Sequence, residues 1–211
     1  YLASVRWADE QIGRVLNALD QGPHAKKTIV VLFSDHGYHL GEHGHWQKQT
    51  LFEAATRVPL IFSGPGILKN KAAVEDPVEL VDLYPTLMDM LQFQTPKFVS
   101  GKSLVPHMTA THATVRNSAL TELQVYVGSH KAQGYGLQTK RYRLNQWEHN
   151  GLMSYELYDH KFDKAELNNL TDQKAYKTTK DSLRSVLTQR IVDANKLPVG
   201  LGLQIENAKP S

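Results

Sequence analysis

Residues 34–48 hold most of the chemistry in this sequence: Ser34-Asp35-His36-Gly37-Tyr38-His39-Leu40-Gly41-Glu42-His43-Gly44-His45-Trp46-Gln47-Lys48. Two acids, four histidines and a lysine share this one stretch. It follows directly on an apolar run, TIVVLF at 28–33, of the kind that makes a buried strand. In open α/β sheets, ligands bind at the carboxyl ends of strands, where side chains project into a crevice. Polar groups crowded beside a buried strand need partners, because unpaired buried charge is costly.

Asp35-His36 can act as a metal-ligand pair, with hard oxygen from the carboxylate and nitrogen from the imidazole. Spacing alone leaves a second reading open, in which Asp35 caps the following turn and His36 is a satisfied core histidine. The metal is also open: oxygen ligands suit calcium or magnesium, and imidazole leans toward zinc or manganese. Lys48 lies thirteen positions after Asp35 and could hold one oxygen of a bound oxyanion, or simply face solvent. His39, His43 and His45 could line the crevice, bind substrate, or hydrogen-bond the loop to itself. The H-E-x-x-H zincin pattern is absent.

Several elements must position this stretch. Residues 1–20 predict an amphipathic helix, with Leu2, Val5, Ile12, Val15, Leu16 and Leu19 on one face and a stop at Gly22-Pro23. The run at 28–33 is apolar on both faces, which suits a parallel strand covered by helices on both sides. One such unit cannot make a doubly wound sheet, so further strands are expected from residues before Tyr1 or from another chain. A second strand is predicted at 58–62, followed by the turn Gly64-Pro65-Gly66. Leu80, Leu83, Tyr84, Leu87, Met88 and Leu91 mark a helix whose first turn Pro85 should offset. The pattern changes after a Pro/Ser/Thr-rich connection at 95–118. Strands at 119–127, 134–146 and 154–158 suggest an antiparallel sheet, and Leu183, Val186, Leu187, Ile191 and Ala194 a final helix.

Composition excludes several classes of function. The net charge of +3 is too small to imply nucleic acid, and no Lys/Arg stripe is interleaved with aromatics. Basic residues thicken at Lys140-Arg141-Tyr142-Arg143, which reads as a solvated strand face. No apolar run approaches the roughly 18 residues needed to span a membrane. The absence of cysteine removes disulfides and thiolate metal sites, and leaves the compartment open. The chain opens on Tyr1-Leu2-Ala3-Ser4, inside a helical pattern, and reads as a piece of something longer. Asn169-Leu170-Thr171 is a glycosylation triplet, a weak sign of secretion.

The block 34–48, followed by Arg57-Val58-Pro59-Leu60-Ile61-Phe62, resembles the sulfatase family of the alkaline-phosphatase-like superfamily, particularly its iduronate-sulfatase-like branch. Those enzymes carry a similar S-D-H-G-x-x-L-G-E-H-G-x-W-x-K run and then a V-P-L strand. Residues 1–20, VDLYPTLMDML at 81–91, Gly101-Lys102-Ser103-Leu104, Arg141-Tyr142-Arg143 and Glu156-Leu157-Tyr158-Asp159 continue the resemblance in order, to about residue 170. It implies an α/β alkaline-phosphatase-like sandwich portion followed by a small C-terminal antiparallel-sheet-plus-helix subdomain. The implied parts are a C-terminal share of the catalytic domain with its metal loop at 1–95, a connection at 96–118 and an α+β subdomain at 119–211.

The resemblance assigns Asp35 and His36 to the metal, with calcium the usual ion and manganese or zinc as alternatives. It makes Lys48 the catalytic lysine that contacts the sulfate; His43 and His45 are substrate-binding candidates by residue type and position alone. The remaining metal carboxylates and the nucleophile, a formylglycine made from Cys or Ser in a C/S-x-P-S-R-like motif, would lie upstream. This chain has no Cys and no match to that motif. Where relatives carry Asp-Pro-x-Glu, this sequence has Asp163-Lys164-Ala165-Glu166, which could start a short helix as a capping box.

The implied partners are a sulfated saccharide or other sulfate ester and the missing N-terminal part of the same enzyme, with no nucleic acid and no membrane span. The implied compartment is secreted, periplasmic or lysosomal. The expected activity is hydrolysis of a sulfate monoester when complete, with this chain alone inactive. Two alternatives stay open. One is phosphodiester or phosphonate monoester hydrolysis on the same fold, since one lysine cannot separate two tetrahedral oxyanions. The other is a non-catalytic C-terminal piece.

Overall fold

The first nineteen-residue helix, α1 (Leu2–Asp20), forms where apolar residues recur at helical spacing, and it stops as Gly22 N–H returns to Leu19 O at 2.9 Å. None of its residues is buried. Its apolar face therefore finds no cover among the described residues. The computed structural model describes residues 1–67, 73–109 and 113–196.

The apolar run becomes β1 (Val30–Phe33), and its neighbour is β4 (Leu60–Ser63). The two pair antiparallel, with Val31 opposite Phe62 and Leu32 opposite Ile61. This corrects the expected parallel arrangement for the pair the chain itself supplies. A continuous apolar run signals burial on two faces and carries no information about the direction of the neighbour. Cover is also incomplete: Phe33 is 49% exposed and Ile61 53%.

Between these strands runs the excursion that bears the chemistry. Two short strands, β2 (His39–Leu40) and β3 (Trp46–Gln47), pair antiparallel, with His39 opposite Gln47 and Leu40 opposite Trp46. A one-turn helix, α2 (Glu53–Thr56), then leads into β4. After the turn at Gly64 and Gly66, a 3-10 turn at Leu80–Asp82 opens α3 (Leu83–Met90). Pro85 falls in the first turn of α3, where a missing N–H is tolerated. The predicted connection at 95–118 contains a short helix, α4 (Val105–Thr109).

The C-terminal half is one four-stranded antiparallel sheet in sequence order: β5 (Ser118–Val127), β6 (His130–Thr139), β7 (Tyr142–His149) and β8 (Leu152–Asp159). The predicted single strand at 134–146 is two strands joined at Lys140-Arg141. The Thr139 hydroxyl accepts the Tyr142 N–H at 2.8 Å and donates to Tyr142 O at 3.0 Å, so a side chain closes this turn. No Gly, Pro or Asn marks it. Helix α5 (Lys177–Ala194) lies across the sheet. Its Leu183 and Leu187 pack with Leu137, Leu144 and Leu157 in one buried core. Burying each such leucine contributes roughly 1.5–3 kcal/mol.

A buried ion network joins the two halves. Asp82, fully buried, accepts Glu79 N–H at 3.0 Å and Lys102 N–H at 2.7 Å and pairs with Arg116 through both carboxylate oxygens. Arg116 also reaches Glu79 at 2.8 Å, and Glu79 pairs with Arg190 of α5. Glu79 Oε1 accepts the Leu120 N–H of β5 at 2.6 Å. Every lone pair of these acids faces a donor, which is what lets such charge be buried. Gly101 sits so close to Val81 that a Cβ would come within 2.0 Å of Val81 O. The V-D-L and G-K-S-L segments are thus locked together by backbone contact.

Candidate functional site

The site begins where β1 ends. Ser34 donates its hydroxyl to His36 O at 2.8 Å, which folds the chain sharply after the strand. His36 Nδ1 lies 2.7 Å from Gly37 O. A carbonyl can only accept, so Nδ1 carries the hydrogen and, in the neutral ring, Nε2 keeps its lone pair. That lone pair faces outward: Nε2 lies 2.8 Å from Lys48 Nζ and 3.6 Å from Asp35 Oδ2. Asp35, His36 and Lys48 thus converge on one point. The Asp35 side chain is 81% exposed, so the point of convergence is open to solvent.

The hairpin β2–β3 brings Lys48 back to His36. Gly41 adopts φ 118°, which only glycine takes readily, and its N–H returns to His45 O at 2.9 Å. Glu42 Oε2 accepts the Leu40 N–H at 2.6 Å, and this holds the Glu42 carboxyl below its ordinary value. Two-residue strands are too short to show alternation, so nothing in the residue order of 34–50 marks this hairpin.

Gly37 explains itself by close approach. Its N–H donates to Ala55 O of α2 at 2.8 Å, and a Cβ would come within 2.1 Å of Ala54 O. Helix α2 therefore presses backbone to backbone on the residue next to His36.

The other histidines gather elsewhere on the loop. His39 is fully buried, and its Nε2 lies 2.6 Å from Thr50 Oγ1. Burial lowers its pKa from the ordinary value, against the pull of Glu42. His43 stacks on Phe52 with ring centroids 3.8 Å apart, and the His45 ring centroid is 5.9 Å from that of His39. Among the described residues, no hydrogen bond or ring contact joins His43 or His45 to Asp35, His36 or Lys48. His39 and Thr50 tie the start of the hairpin to the chain just beyond Lys48.

That chain runs into the C-terminal sheet. Leu51 is buried over Gly136 of β6, and Leu51 O accepts Arg143 Nη1 at 2.9 Å. Glu166 Oε2 accepts the Glu53 N–H at the start of α2 at 2.7 Å. Glu166 Oε1 pairs with Arg143 Nε and lies 2.8 Å from His160 Nε2, while His160 Nδ1 lies 3.0 Å from Glu53 Oε2. The expected capping box at Asp163 and Glu166 is not formed. Asp163 accepts the Asn168 N–H at 2.7 Å within a turn, and Glu166, at φ 56°, points back to the site loop. Sequence reasoning gave Glu166, His160, Thr50 and Arg143 no part in the site. The only signal was the place of Glu166 in a motif and of Arg143 in Arg141-Tyr142-Arg143.

The residues present suit a divalent cation. The exposed Asp35 carboxylate and the Nε2 of His36 lie side by side, and the Lys48 amine now fills the Nε2 lone pair. A carboxylate oxygen beside a neutral imidazole nitrogen is a usable donor set for such an ion.

Comparison with known proteins bears on this geometry. The family described as N-sulphoglucosamine sulphohydrolase, C-terminal, matches residues 41–193. A sulfatase of Formosa agariphila is 36% identical over 187 residues, covering 89% of this chain and 35% of that protein. An N-acetylglucosamine-6-O-sulfatase of Bacteroides thetaiotaomicron is 33% identical over 193 residues, covering 90% of this chain and 34% of its own length. The chain thus spans about a third of the length of these curated relatives. Among solved structures, a 2-O GAG sulfatase superposes with a TM-score of 0.81 at 28% identity, over 89% of this chain and 41% of that one. A phosphonate monoester hydrolase from Silicibacter pomeroyi superposes with a TM-score of 0.74 at 28% identity, over 88% and 39%.

Proposed function

We propose, from the premise that this chain belongs to the sulfatase C-terminal domain family, that it supplies one wall of the active site of a sulfuric ester hydrolase acting on sulfated saccharides. The observation that carries the reading is the convergence of Asp35 Oδ2 and Lys48 Nζ on His36 Nε2. Similarity to an N-acetylglucosamine-6-O-sulfatase and a 2-O GAG sulfatase supports the saccharide. The 34–48 run supports the iduronate-sulfatase-like branch within the family.

In this reading Asp35 and His36 would hold a divalent cation, calcium by the family resemblance, which when bound neutralises charge on the sulfate. The hydrogen bond from His36 Nδ1 to Gly37 O selects the tautomer whose Nε2 lone pair serves that role. Lys48 donates to an oxygen of the tetrahedral group and stabilises charge that grows there in the transition state. The nucleophile, a formylglycine, and the other carboxylate ligands come from the remainder of the enzyme. That remainder would also cover the apolar faces of α1, β1 and β4. In this reading His43 and His45, in the turn of the hairpin, would meet the saccharide beyond the sulfate.

The test is sulfate release from sulfated glucosamine by the full-length protein carrying its modified nucleophile. Lys48→Ala should lower kcat/KM by about a hundredfold or more. The 211 residues alone should give no turnover. Sulfate release by the isolated chain, or full activity in Lys48→Ala, would refute the assignment. The phosphonate monoester hydrolase neighbour defines the competing reading, and a preference above a hundredfold for an aryl phosphonate over an aryl sulfate would establish it instead.

A further inference from the structure

We infer that Glu166, Arg143 and His160 form a clasp that positions Lys48 and His36 by holding the chain on the far side of α2. The inference rests on the reading of Lys48 as the lysine that meets the oxyanion.

The clasp grips backbone as well as side chains. Glu166 takes the Glu53 N–H and Arg143 takes Leu51 O, so two points of the segment 51–53 are held by the C-terminal sheet and the turn after it. These contacts fix the path of the segment whatever side chains it carries. Arg143 and Glu166 each keep only 2% of their side-chain surface exposed. Burial alone would push the Glu166 carboxyl up; the His160 ring, Arg143 and the Glu53 amide together pull it below its ordinary value. The charged form is therefore the form the site is built around.

Two short routes lead from the clasp to the chemistry. Upstream, the Thr50 N–H returns to Lys48 O at 2.9 Å, so the chain from Leu51 to Lys48 is one tight bend. Across α2, Ala55 O receives the Gly37 N–H, and the contact of Gly37 with Ala54 leaves no room for slack. A shift of Glu53 must move Lys48 by the first route and His36 by the second. Packed backbones of this kind transmit displacement because they have no void to absorb it.

Glu53, His160 and Glu166 also bring three ligand atoms within 4.8 Å of one another, a spacing a metal ion could use. The Arg143 guanidinium already pairs with Glu166 Oε1 there. Both carboxylates also face the His160 ring nitrogens, and Arg57 reaches Glu53 Oε1 at 2.8 Å. The demand for positive charge is met from within the protein. Burial, with Glu156, Glu166 and Asp163 nearby, pushes the Tyr158 hydroxyl above its ordinary value.

A double-mutant cycle in the full-length protein tests the clasp, with an aryl sulfate as substrate. Glu166→Gln should lower kcat/KM about tenfold in the native background and by about threefold in Lys48→Ala, where only the route to His36 remains. A group that only stabilised the fold would cost the same in both. Amide exchange of 49–56 should quicken in Glu166→Gln, while that of strands β5–β8 stays as it was. Equal losses in the two backgrounds, or unaltered exchange at 49–56, would overturn the inference. If Glu166→Gln does not fold, Glu53→Gln carries the same cycle with a loss of about threefold, because its side chain is 21% exposed and buries less charge. If Lys48→Ala leaves hydrolysis intact, the oxyanion role falls by itself, and the exchange data alone decide whether the clasp holds the segment.

Discussion

The pair β1–β4 and the sheet β5–β8 are both built from apolar strands, yet among the described residues only the sheet finds its cover. Leu137, Leu144, Leu157 and Leu187 are fully buried, and α5 seals them. Against this, Leu2 is 79% exposed on α1, Val15 69% and Ile61 53% on β4. The sheet carries its own core, whereas α1, β1 and β4 leave apolar faces exposed among the described residues. A hydrophobic stripe states that a face wants cover, and not who provides it. In the proposed enzyme that cover is the remainder of the catalytic domain. The site loop sits at the seam, held on one side by a self-sufficient unit.

This contrast can be broken by mutation. The largest effect should come from Leu157→Ala in the sheet core, at about 3–4 kcal/mol in urea unfolding of this chain, while Val15→Ala should change stability by less than about 0.5 kcal/mol. A large loss at Val15 would mean that α1 has a partner within the chain. Next is Gly37→Ala, at roughly 2–3 kcal/mol, because its Cβ must displace the Ala54 carbonyl. The loss should appear as faster amide exchange at 36–56 with the sheet left protected.

Acid should separate the two regions as well. His39 has its pKa lowered by burial from 6.5, so the folded hairpin binds its proton less readily than the unfolded chain. Stability from this group is complete above pH 6.5 and fades as pH falls below it. Glu166, lowered from 4.5, and Asp159, lowered from 3.8 by Arg141, keep their contributions until pH falls past those ordinary values and then through the folded ones. Amide exchange measured from pH 7.5 to 4 should show the hairpin 39–50 loosening first and the sheet later; simultaneous loosening would contradict this. The smallest effect belongs to Arg57→Ala. The Arg57–Glu53 pair lies on the surface, with Arg57 80% exposed, so its loss should cost under about 0.5 kcal/mol by thermal unfolding.

Much of this was legible from residue order. The helices α1, α3 and α5 follow their apolar spacing, and Leu183 and Leu187 were readable as core positions. Asp35, His36 and Lys48 stand out by type and by their place after an apolar strand. Three features escaped for definite reasons. The direction of β4 against β1 leaves no mark in a run that is apolar on both faces. The β6–β7 break lies at Lys140-Arg141, where Thr139 does the work usually signalled by glycine. The hairpin β2–β3 is too short for any period to emerge.

Residue order by itself determined which groups could do chemistry and which faces must be covered, since both depend on side-chain type and on spacings of two to four residues. Only the tertiary structure decided that Lys48 meets the His36 lone pair, and that Glu166 caps a helix 113 positions away. Those contacts depend on where a sheet register and a turn at positive φ deliver one atom to another. No local periodicity encodes that, because the partners meet only after the chain has folded.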